Sequence, residues 1–291
     1  MMATPSRFAP RGLNSLLRVS RSVADTPGSF VEHLGHQATF MFLVLTAIPR
    51  TLRNYRRQTG ALLVDITWGN GSLIVGGGTI GVLVFMGVAV GGSVGVEGYA
   101  ALDMVGMGPL TGFVSAYVNT REMAPMIAAI GFAAQAGCRM TAEIGAMRIS
   151  EEIDALEAQG IQPIPFVVTT RVIAGMITIV PLYVLTLGVS YLSCALVVNV
   201  LHGQSSGTYY HYFDSFIQPS DVIFSVIKAI IFVTLIIAIH GYQGFYASGG
   251  PEGVGAASGR AIRASLITVV VTDMVLTLLF WGSSPGIQIS G

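Results

Sequence analysis

Long apolar runs dominate the chain after about residue 70 and alternate with short polar connections. A helix needs about 20 apolar residues to cross the hydrocarbon core of a membrane, so runs of this kind predict membrane-spanning helices. Five runs qualify: Ser72–Val96, Met123–Cys138, Val172–Val200, Val222–Tyr246 and Ala264–Trp281. The second is long enough only if its helix continues through Glu122 or Arg139. The pattern therefore predicts an all-α, polytopic integral membrane protein with five transmembrane helices.

A shorter apolar run, Phe40–Ile48, precedes these spans and cannot cross a bilayer by itself. We expect residues 29–49 to form an interfacial helix that lies along the membrane surface. Residues 1–28 are a polar, basic extension that differs from a signal peptide, because arginines precede every apolar run and no small-residue cleavage site follows. Residues 29–291 are then predicted to form one membrane domain.

The arginines are distributed unevenly between the two sides of the predicted spans. With the N-terminus in the cytoplasm, the cytoplasmic side receives Arg7, Arg11, Arg18, Arg21, Arg50, Arg53, Arg56, Arg57, Arg139, Arg148, Arg260 and Arg263. The outer loops 97–120 and 202–220 contain no arginine or lysine, which follows the positive-inside rule and places the C-terminus outside. Within the first outer loop, Gly106-Met107-Gly108-Pro109 interrupts the stretch Asp103–Asn119, so we expect a re-entrant or surface connection there.

Composition agrees with a membrane protein and excludes several other classes. Hydrophobic residues make up 52% of the chain and charged residues only 10%, whereas about a quarter of the residues in a soluble protein are charged. The net charge is zero, so the chain lacks the basic excess that binds nucleic acids. The cysteines and histidines show no metal-ligand spacing, and no Gly-x-x-x-x-Gly-Lys motif surrounds the single lysine, Lys228. We therefore predict no catalytic residue, no metal site and no cofactor bound by this chain.

The segment between the second and third predicted spans has the pattern of a short acidic helix over about residues 149–160. Ser150 is a favourable N-cap, Gly160 fits the left-handed position after the last turn, and Pro163 prevents continuation. The apolar stripe consists of Ile149, Ile153 and Leu156, and the acidic residues are Glu151, Glu152, Asp154 and Glu157. By itself, this pattern fits a solvated surface helix and a docking element for a cytoplasmic partner equally well.

The same segment carries the most specific motif of the chain. Its successive runs are Ala142-Glu143-Ile144-Gly145-Ala146-Met147, Glu151-Glu152-Ile153-Asp154-Ala155-Leu156-Glu157 and Gly160-Ile161-x-Pro163. Further matching positions are Gly98-Tyr99, Arg121-Glu122-x-x-Pro125, Lys228, Gly241-Tyr242 and Asp273. With these motifs the chain resembles the MlaE/YrbE permease family over most of its length. The stretches 203–213 and 248–255 resemble B-type YrbE subunits of actinobacterial Mce systems, whereas Gln135 stands where many relatives have an arginine.

The resemblance implies a permease subunit of an ATP-driven lipid transporter in the inner (plasma) membrane. The implied partners are a second YrbE-type permease subunit, a cytoplasmic ATPase dimer that binds ATP and Mg²⁺, Mce-domain envelope proteins, and a lipid such as a fatty acid or a sterol. The family also implies import and makes the acidic segment a coupling helix seated in the ATPase. The candidate contact residues are Glu143, Glu151, Glu152, Asp154 and Glu157.

Three further motif residues, Tyr99, Arg121 and Glu122, are predicted near the outer ends of the first two spans. They are candidates for a substrate cavity in which the two charges bind an anionic headgroup; the alternative, slightly favoured, is that Arg121 and Glu122 pair locally. The first span also carries Gly87-x-x-x-Gly91-x-x-x-Gly95, a string typical of close helix contacts. A dimer seam or cavity wall and packing within the subunit are equally compatible with this string.

Two charged residues lie inside predicted spans at matching depth. Lys228 is about eight residues, or roughly 12 Å, from the outer start of its span, and Asp273 is about nine residues, or roughly 13 Å, from the outer end of the next. An unpaired charge at the centre of a membrane helix costs about 2.5–3.5 kcal/mol, so each charge needs a partner. We predict a Lys228–Asp273 salt bridge that acts as a structural clamp in preference to a proton relay.

Two alternative functions compete with the lipid transporter. A membrane scaffold would anchor Mce envelope proteins without moving a substrate. An ion-coupled secondary carrier would use Lys228 and Asp273 as its relay. Neither needs an acidic docking helix, so that helix favours the ATP-driven transporter.

Overall fold

The computed structural model describes residues 35–68 and 78–282. Every regular element in these two ranges is helical, as the apolar pattern predicts. The basic extension 1–28, the beginning of the run Ser72–Val96 and the C-terminal end lie outside the described residues. The predictions made for those segments therefore stay predictions.

Helix α1 comprises residues 35–46 and belongs to a separate compact unit, Met1–Thr46. It falls within the predicted interfacial helix 29–49, and its location at a membrane surface stays a prediction. The second unit, Ala47–Gly291, contains the remaining described helices.

The second unit is built from nine helices within the described residues. They are α2 (Ile48–Asn54), α3 (Arg56–Trp68), α4 (Gly78–Asp103), α5 (111–149), α6 (Glu152–Ala158), α7 (Ile164–Leu201), α8 (Ser206–Phe216), α9 (Pro219–Phe245) and α10 (Gly250–Trp281). Helices α4, α7, α9 and α10 are long and apolar enough to cross a membrane, and they overlap four of the five predicted spans.

The remaining predicted span, Met123–Cys138, lies inside α5. This helix consists of the consecutive segments Thr111–Val114, Ser115–Met123, Ala124–Phe132, Ala133–Gly137 and Cys138–Ile149, of which the second and fourth are π-helical. The helix continues through both Glu122 and Arg139, whose side chains have ion-pair partners. Its length permits a crossing, but that it crosses the membrane stays a prediction.

The predicted connection Asp103–Asn119 is only half correct. The chain turns after α4, where Gly106 has a φ of 74°, and a 3₁₀ turn follows at Gly108–Leu110. Helix α5 then begins at residue 111, so the second half of the stretch is helical. Tertiary packing explains why this half is helical and not a loop. Gly112 lies directly against the backbone of Tyr209 in α8, where a side chain would not fit.

The glycine string of α4 packs against α7 within the subunit. A Cβ atom at Gly87 would lie 2.7 Å from the carbonyl oxygen of Thr186, and one at Gly95 would lie 3.1 Å from that of Cys194. Gly91 approaches the carbonyl of Ser190 more closely still. Of the two interpretations of the string, the structure therefore supports close packing inside one chain, since only glycine allows the two backbones to approach this far.

Helix α9 contacts α5, α7 and α10. Its His240 is fully buried, and the Nδ1 atom lies 2.7 Å from the hydroxyl of Thr141 in α5. Gly137 makes room for the histidine ring, because a Cβ atom there would lie 2.8 Å from His240 Nε2. The α5–α9 contact thus depends on one small residue opposite one large polar residue.

Candidate functional site

The candidate docking helix α6 is joined to α5 by a left-handed residue. Helix α5 ends at Ile149, Glu151 has a φ of 60°, and α6 begins at Glu152. The prediction that Ser150 is the N-cap is wrong: Ser150 terminates α5, and its hydroxyl donates to Ala146 O at 3.0 Å. Ser150 therefore belongs to the last turn of α5, where its hydroxyl bonds to the carbonyl four residues earlier, as serines in helices often do.

The C-terminus of α6 has the predicted form. Gly160 is left-handed with a φ of 76°, and its N–H donates to Glu157 O at 2.9 Å. The N–H of Ile161 donates to Leu156 O at 3.0 Å. These two bonds form a Schellman motif, which satisfies the last carbonyls of the helix and fixes the direction of the chain that follows.

The apolar stripe of α6 is narrower than predicted. Ile153 is fully buried, Leu156 is half-buried, and Ile149 is 40% exposed. A shallow groove of about 310 Å³ runs beside the helix and is lined by Met147, Glu152, Ala155, Leu156, Gln159 and Phe166. One buried isoleucine therefore anchors α6, while most of its surface is accessible to a partner.

The five predicted contact residues have two different surroundings. Glu151, Glu152, Asp154 and Glu157 are exposed on and beside α6. Asp154 accepts a hydrogen bond from Arg148 Nη1 at 2.6 Å, which ties α6 to the end of α5. Glu143 lies two turns earlier, on α5, and forms ion pairs with Arg139 and Arg171. The accessible acidic surface therefore consists of the four residues of α6 and its N-terminal turn, and Glu143 belongs to a separate cluster.

That separate cluster connects α3, α5 and α7 near the base of α6. Arg139 donates from Nη2 to the Asp65 carboxylate at 2.8 Å, and its Nε lies 3.4 Å from Glu143. The other carboxylate oxygen of Glu143 accepts from Arg171 at 3.3 Å, and Arg171 also donates to Val167 O at 2.7 Å. The two acids and two arginines alternate in sign, so each charge has an opposite neighbour.

Sequence reasoning missed Asp65 and Arg171 as members of this cluster. A signal exists for Arg171, because an arginine next to a long apolar run needs a partner when it is buried. Asp65 carries no such signal, since it lies on an amphipathic helix where an exposed carboxylate is ordinary.

A second charge cluster, which is buried, surrounds Lys228 in α9. Its Nζ atom lies 2.7 Å from Asp273 Oδ1 in α10, as the matching depth predicts. The same ammonium donates to Arg121 O at 2.8 Å and to Thr277 Oγ1 at 2.9 Å, and it lies 3.4 Å from Glu122 Oε2. Thr277 in turn donates to the other carboxylate oxygen of Glu122 at 2.8 Å. One fully buried lysine thus connects α5, α9 and α10.

Arg121 is enclosed by its own partners beside that lysine. Its Nε and Nη2 atoms donate to Asp221 Oδ2 at 3.0 and 2.8 Å, and the indole N–H of Trp281 donates to Asp221 Oδ1 at 2.8 Å. The guanidinium carbon lies 3.9 Å from the ring centroid of Tyr117. Arg121 is only 4% exposed and is paired within the chain. Its partner is Asp221, whereas the sequence suggested a pair with the adjacent Glu122.

Tyr99 is not part of this cluster. Its ring stacks on His202 with centroids 4.0 Å apart, and its hydroxyl accepts from Gln204 Nε2 at 2.9 Å. These partners lie in the connection between α7 and α8. Of the three residues predicted to line one cavity, Arg121 and Glu122 therefore meet at Lys228 and Tyr99 lies elsewhere. Whether any of them contacts a substrate stays a prediction.

Comparison with known proteins identifies the family. Residues 70–279, well over half of the chain, match the profile of the family described as Permease MlaE. The intermembrane phospholipid transport system permease protein MlaE of Haemophilus influenzae is 26% identical over 272 residues, which are 93% of this chain and 99% of that protein. A probable ABC transporter permease protein of Rickettsia felis is 27% identical over 278 residues, or 91% of this chain and 99% of that one.

A plant relative extends the comparison. The trigalactosyldiacylglycerol 1 protein of Arabidopsis chloroplasts is 29% identical over 203 residues, which are 70% of this chain and 58% of the relative. The chain thus spans just over half the length of that protein and nearly all of the two bacterial ones. The matched region includes α4, α5, α6, α7, α9 and both charge clusters apart from Asp65 and Trp281. From this match, the chain belongs to the MlaE permease family.

Proposed function

We propose that this chain is the membrane subunit of an ATP-driven, Mce-type lipid transporter. In this proposal it pairs with a second YrbE-type permease, a cytoplasmic ATPase dimer and Mce-domain envelope proteins, and it imports a hydrophobic lipid. It resembles the B-type subunits of such systems, crosses the membrane five times and keeps its N-terminus in the cytoplasm. ATP and Mg²⁺ bind to the ATPase, and this chain hydrolyses nothing.

The observation that carries the proposal is the form of α6. A motor subunit has to push on a rigid element, and α6 is held at both ends: by the Arg148–Asp154 ion pair and by the Schellman motif at Gly160. Its exposed side carries four carboxylates. Such a surface suits a partner with basic side chains around an apolar contact, because charge complementarity directs and orients association.

The ion-pair cluster beneath α6 offers a path for that motion. Displacement of α6 acts on α5, whose Arg139 and Glu143 are bonded to Asp65 in α3 and to Arg171 in α7. In the proposed mechanism these helices move together and change the exposure of an apolar cavity between two permease subunits. The Lys228 cluster meets α5 at Glu122, roughly five helical turns from Arg139 along the same helix. It acts as a clamp that keeps α5, α9 and α10 together during the motion.

Charge reversal on α6 tests the proposal. Glu151→Lys with Glu157→Lys should weaken association with the ATPase about tenfold or more, because like charges facing each other at an interface cost several kcal/mol. These two positions are better suited than Asp154, whose reversal would also break the pair with Arg148. The measurement is the amount of ATPase that co-purifies with the tagged chain from the native membrane.

The control is Asp214→Lys, which reverses an exposed carboxylate on α8 and leaves α6 intact. Co-purification should be unchanged in this variant, and the monodisperse elution of all variants shows that the membrane fold survives. Undiminished ATPase recovery with Glu151→Lys and Glu157→Lys would contradict the docking role of α6. The better-supported function would then be a membrane scaffold that moves no substrate.

A further inference from the structure

A wide apolar groove lies on α7 at its junction with α8. Its floor is one face of α7, with Val184, Gly188 and Leu192 at intervals of four residues. Its wall is α8, which contributes Tyr209, Tyr210 and Phe213. The groove has a volume of about 520 Å³, which is within the range of small-ligand sites.

Gly188 makes the groove deep. No neighbouring atom of the described residues lies within 4 Å of the position where its Cβ would be, whereas Gly87, Gly91 and Gly95 of α4 lie against the backbone of α7. A glycine inside a helix is less favourable than alanine, because it loses more conformational freedom on folding. At Gly188 no close helix contact in the described part of the chain compensates for this loss of stability. The missing side chain instead leaves the floor of the groove open between Val184 and Leu192.

The wall is held in place by aromatic contacts. The rings of Tyr209 and Phe213 stack with centroids 6.1 Å apart, and Phe213 meets Tyr191 edge to face at 4.9 Å. The hydroxyl of Tyr191 points to Thr120 of α5, so it is engaged outside the groove. Burial raises the pKa of the Tyr209 phenol, which leaves the wall uncharged. The groove is therefore preformed, and it offers hydrocarbon and ring surface without a charged group.

We propose that this groove binds one acyl chain of a membrane phospholipid. Helix α7 is apolar enough to cross the membrane, so the open side of the groove, with Val184, Leu185 and Leu192 substantially exposed, faces lipid chains. A partner helix fits less well, because one turn of a helix 10 Å wide occupies about 420 Å³ and the groove would hold little more than a single turn. An acyl chain is thin, flexible and lacks backbone polar groups, which matches a lining of aliphatic side chains and tyrosine and phenylalanine rings.

Photo-crosslinking tests this proposal. The full chain, purified with its bound subunits, is placed in nanodiscs of phosphatidylcholine that contain a small fraction of phosphatidylcholine with a diazirine on one acyl chain. Labelling should concentrate on the peptides that contain Gly188 and Tyr210, and Gly188→Leu should reduce it there at least fivefold by filling the floor. Leu192→Trp narrows the groove from its open side and should act in the same direction.

The matched control is Gly255→Leu in α10, where a Cβ also meets no atom within 4 Å. It should leave the labelling of the groove unchanged. Labelling no stronger than on the exposed α10 residues Leu278 and Leu279, or undiminished in both groove variants, would overturn the proposal. Labelling by a diazirine-bearing free fatty acid but not by the phospholipid would overturn it as well. The proposal rests on the membrane location of α7, so it stands or falls independently of ATPase docking at α6.

Discussion

Lys228 lies beside two carboxylates, those of Asp273 and Glu122. Removing the lysine should therefore destabilise the protein more than removing Asp273. Lys228→Met leaves Asp273 and Glu122 without their cation, whereas Asp273→Asn leaves the ammonium with Glu122 Oε2 at 3.4 Å and with Arg121 O. Removing one partner of a buried pair costs about 3–5 kcal/mol. We expect Lys228→Met to lose stability in that range and Asp273→Asn to lose clearly less, measured by thermal unfolding of the protein in detergent.

The double variant Lys228→Met, Asp273→Leu provides the control. It replaces both buried charges by apolar groups and should recover most of the stability, because no uncompensated charge is left except the part-exposed Glu122. Recovered transport in that variant would assign the pair to structure alone. A stable but inactive double variant would contradict the clamp and assign the charges to the transport mechanism.

The ion-pair partner of a buried charge could be predicted from the sequence only where helix geometry allowed a single partner. Lys228 and Asp273 lie at equal depth on consecutive antiparallel helices, so their proximity follows from helix rise alone. The partner of Arg121 could not be found in this way, because Asp221 lies at the first turn of α9, where an acid is also expected as a helix N-terminal residue. Trp281, which orients that carboxylate, carries no sequence signal at all.

At the scale of helices, neighbouring glycines of α4 should differ sharply in their tolerance of a methyl group. Gly91→Ala would push a Cβ atom into the carbonyl of Ser190 on α7, a backbone contact that cannot move away. Forcing extra atoms into a packed contact typically costs about 1–3 kcal/mol. We expect a loss of that size for Gly91→Ala, measured by thermal unfolding in detergent.

Gly92→Ala is the matched control on the next residue of the same helix. Its Cβ would lie 3.4 Å from Ser193 Oγ, an ordinary contact, and alanine favours the helix over glycine. The variant should be as stable as the parent protein or slightly more so. Equal stability of the two alanine variants would show that the α4–α7 packing described above is incorrect.

Helices could be predicted where hydropathy was uniform and less well where charges interrupted it. Four long apolar runs correspond to α4, α7, α9 and α10. The span predicted inside α5 ended at Glu122 and Arg139, because charged residues in a sequence resemble membrane boundaries, whereas the helix continues through both. Their ion pairs allow the helix to continue, and such partners cannot be read from one segment. The end of α6 was predictable from Gly160, whereas its start was not, since Ser150 serves the preceding helix.

On the scale of the whole molecule, both charge clusters lie on α5, and α6 is attached to one end of that helix. Asp65, Arg139, Glu143 and Arg171 bond α5 to α3 and α7 close to α6, and Lys228 bonds it to α9 and α10 near the other end. A force applied to α6 is therefore applied to a helix that is ion-paired to most of the subunit. This is the arrangement expected of a subunit driven from outside by a separate motor.

Site-specific crosslinking from α6 tests whether this helix docks on the ATPase. A photoreactive benzoylphenylalanine in place of Glu157, whose side chain is exposed, should crosslink to the ATPase subunit in intact cells. The same group in place of Asp214 on α8 should give no such product, because the account puts α6 and α8 on opposite sides of the membrane. An ATPase crosslink from position 214, or none from position 157 in a complex that retains the ATPase, would contradict the account.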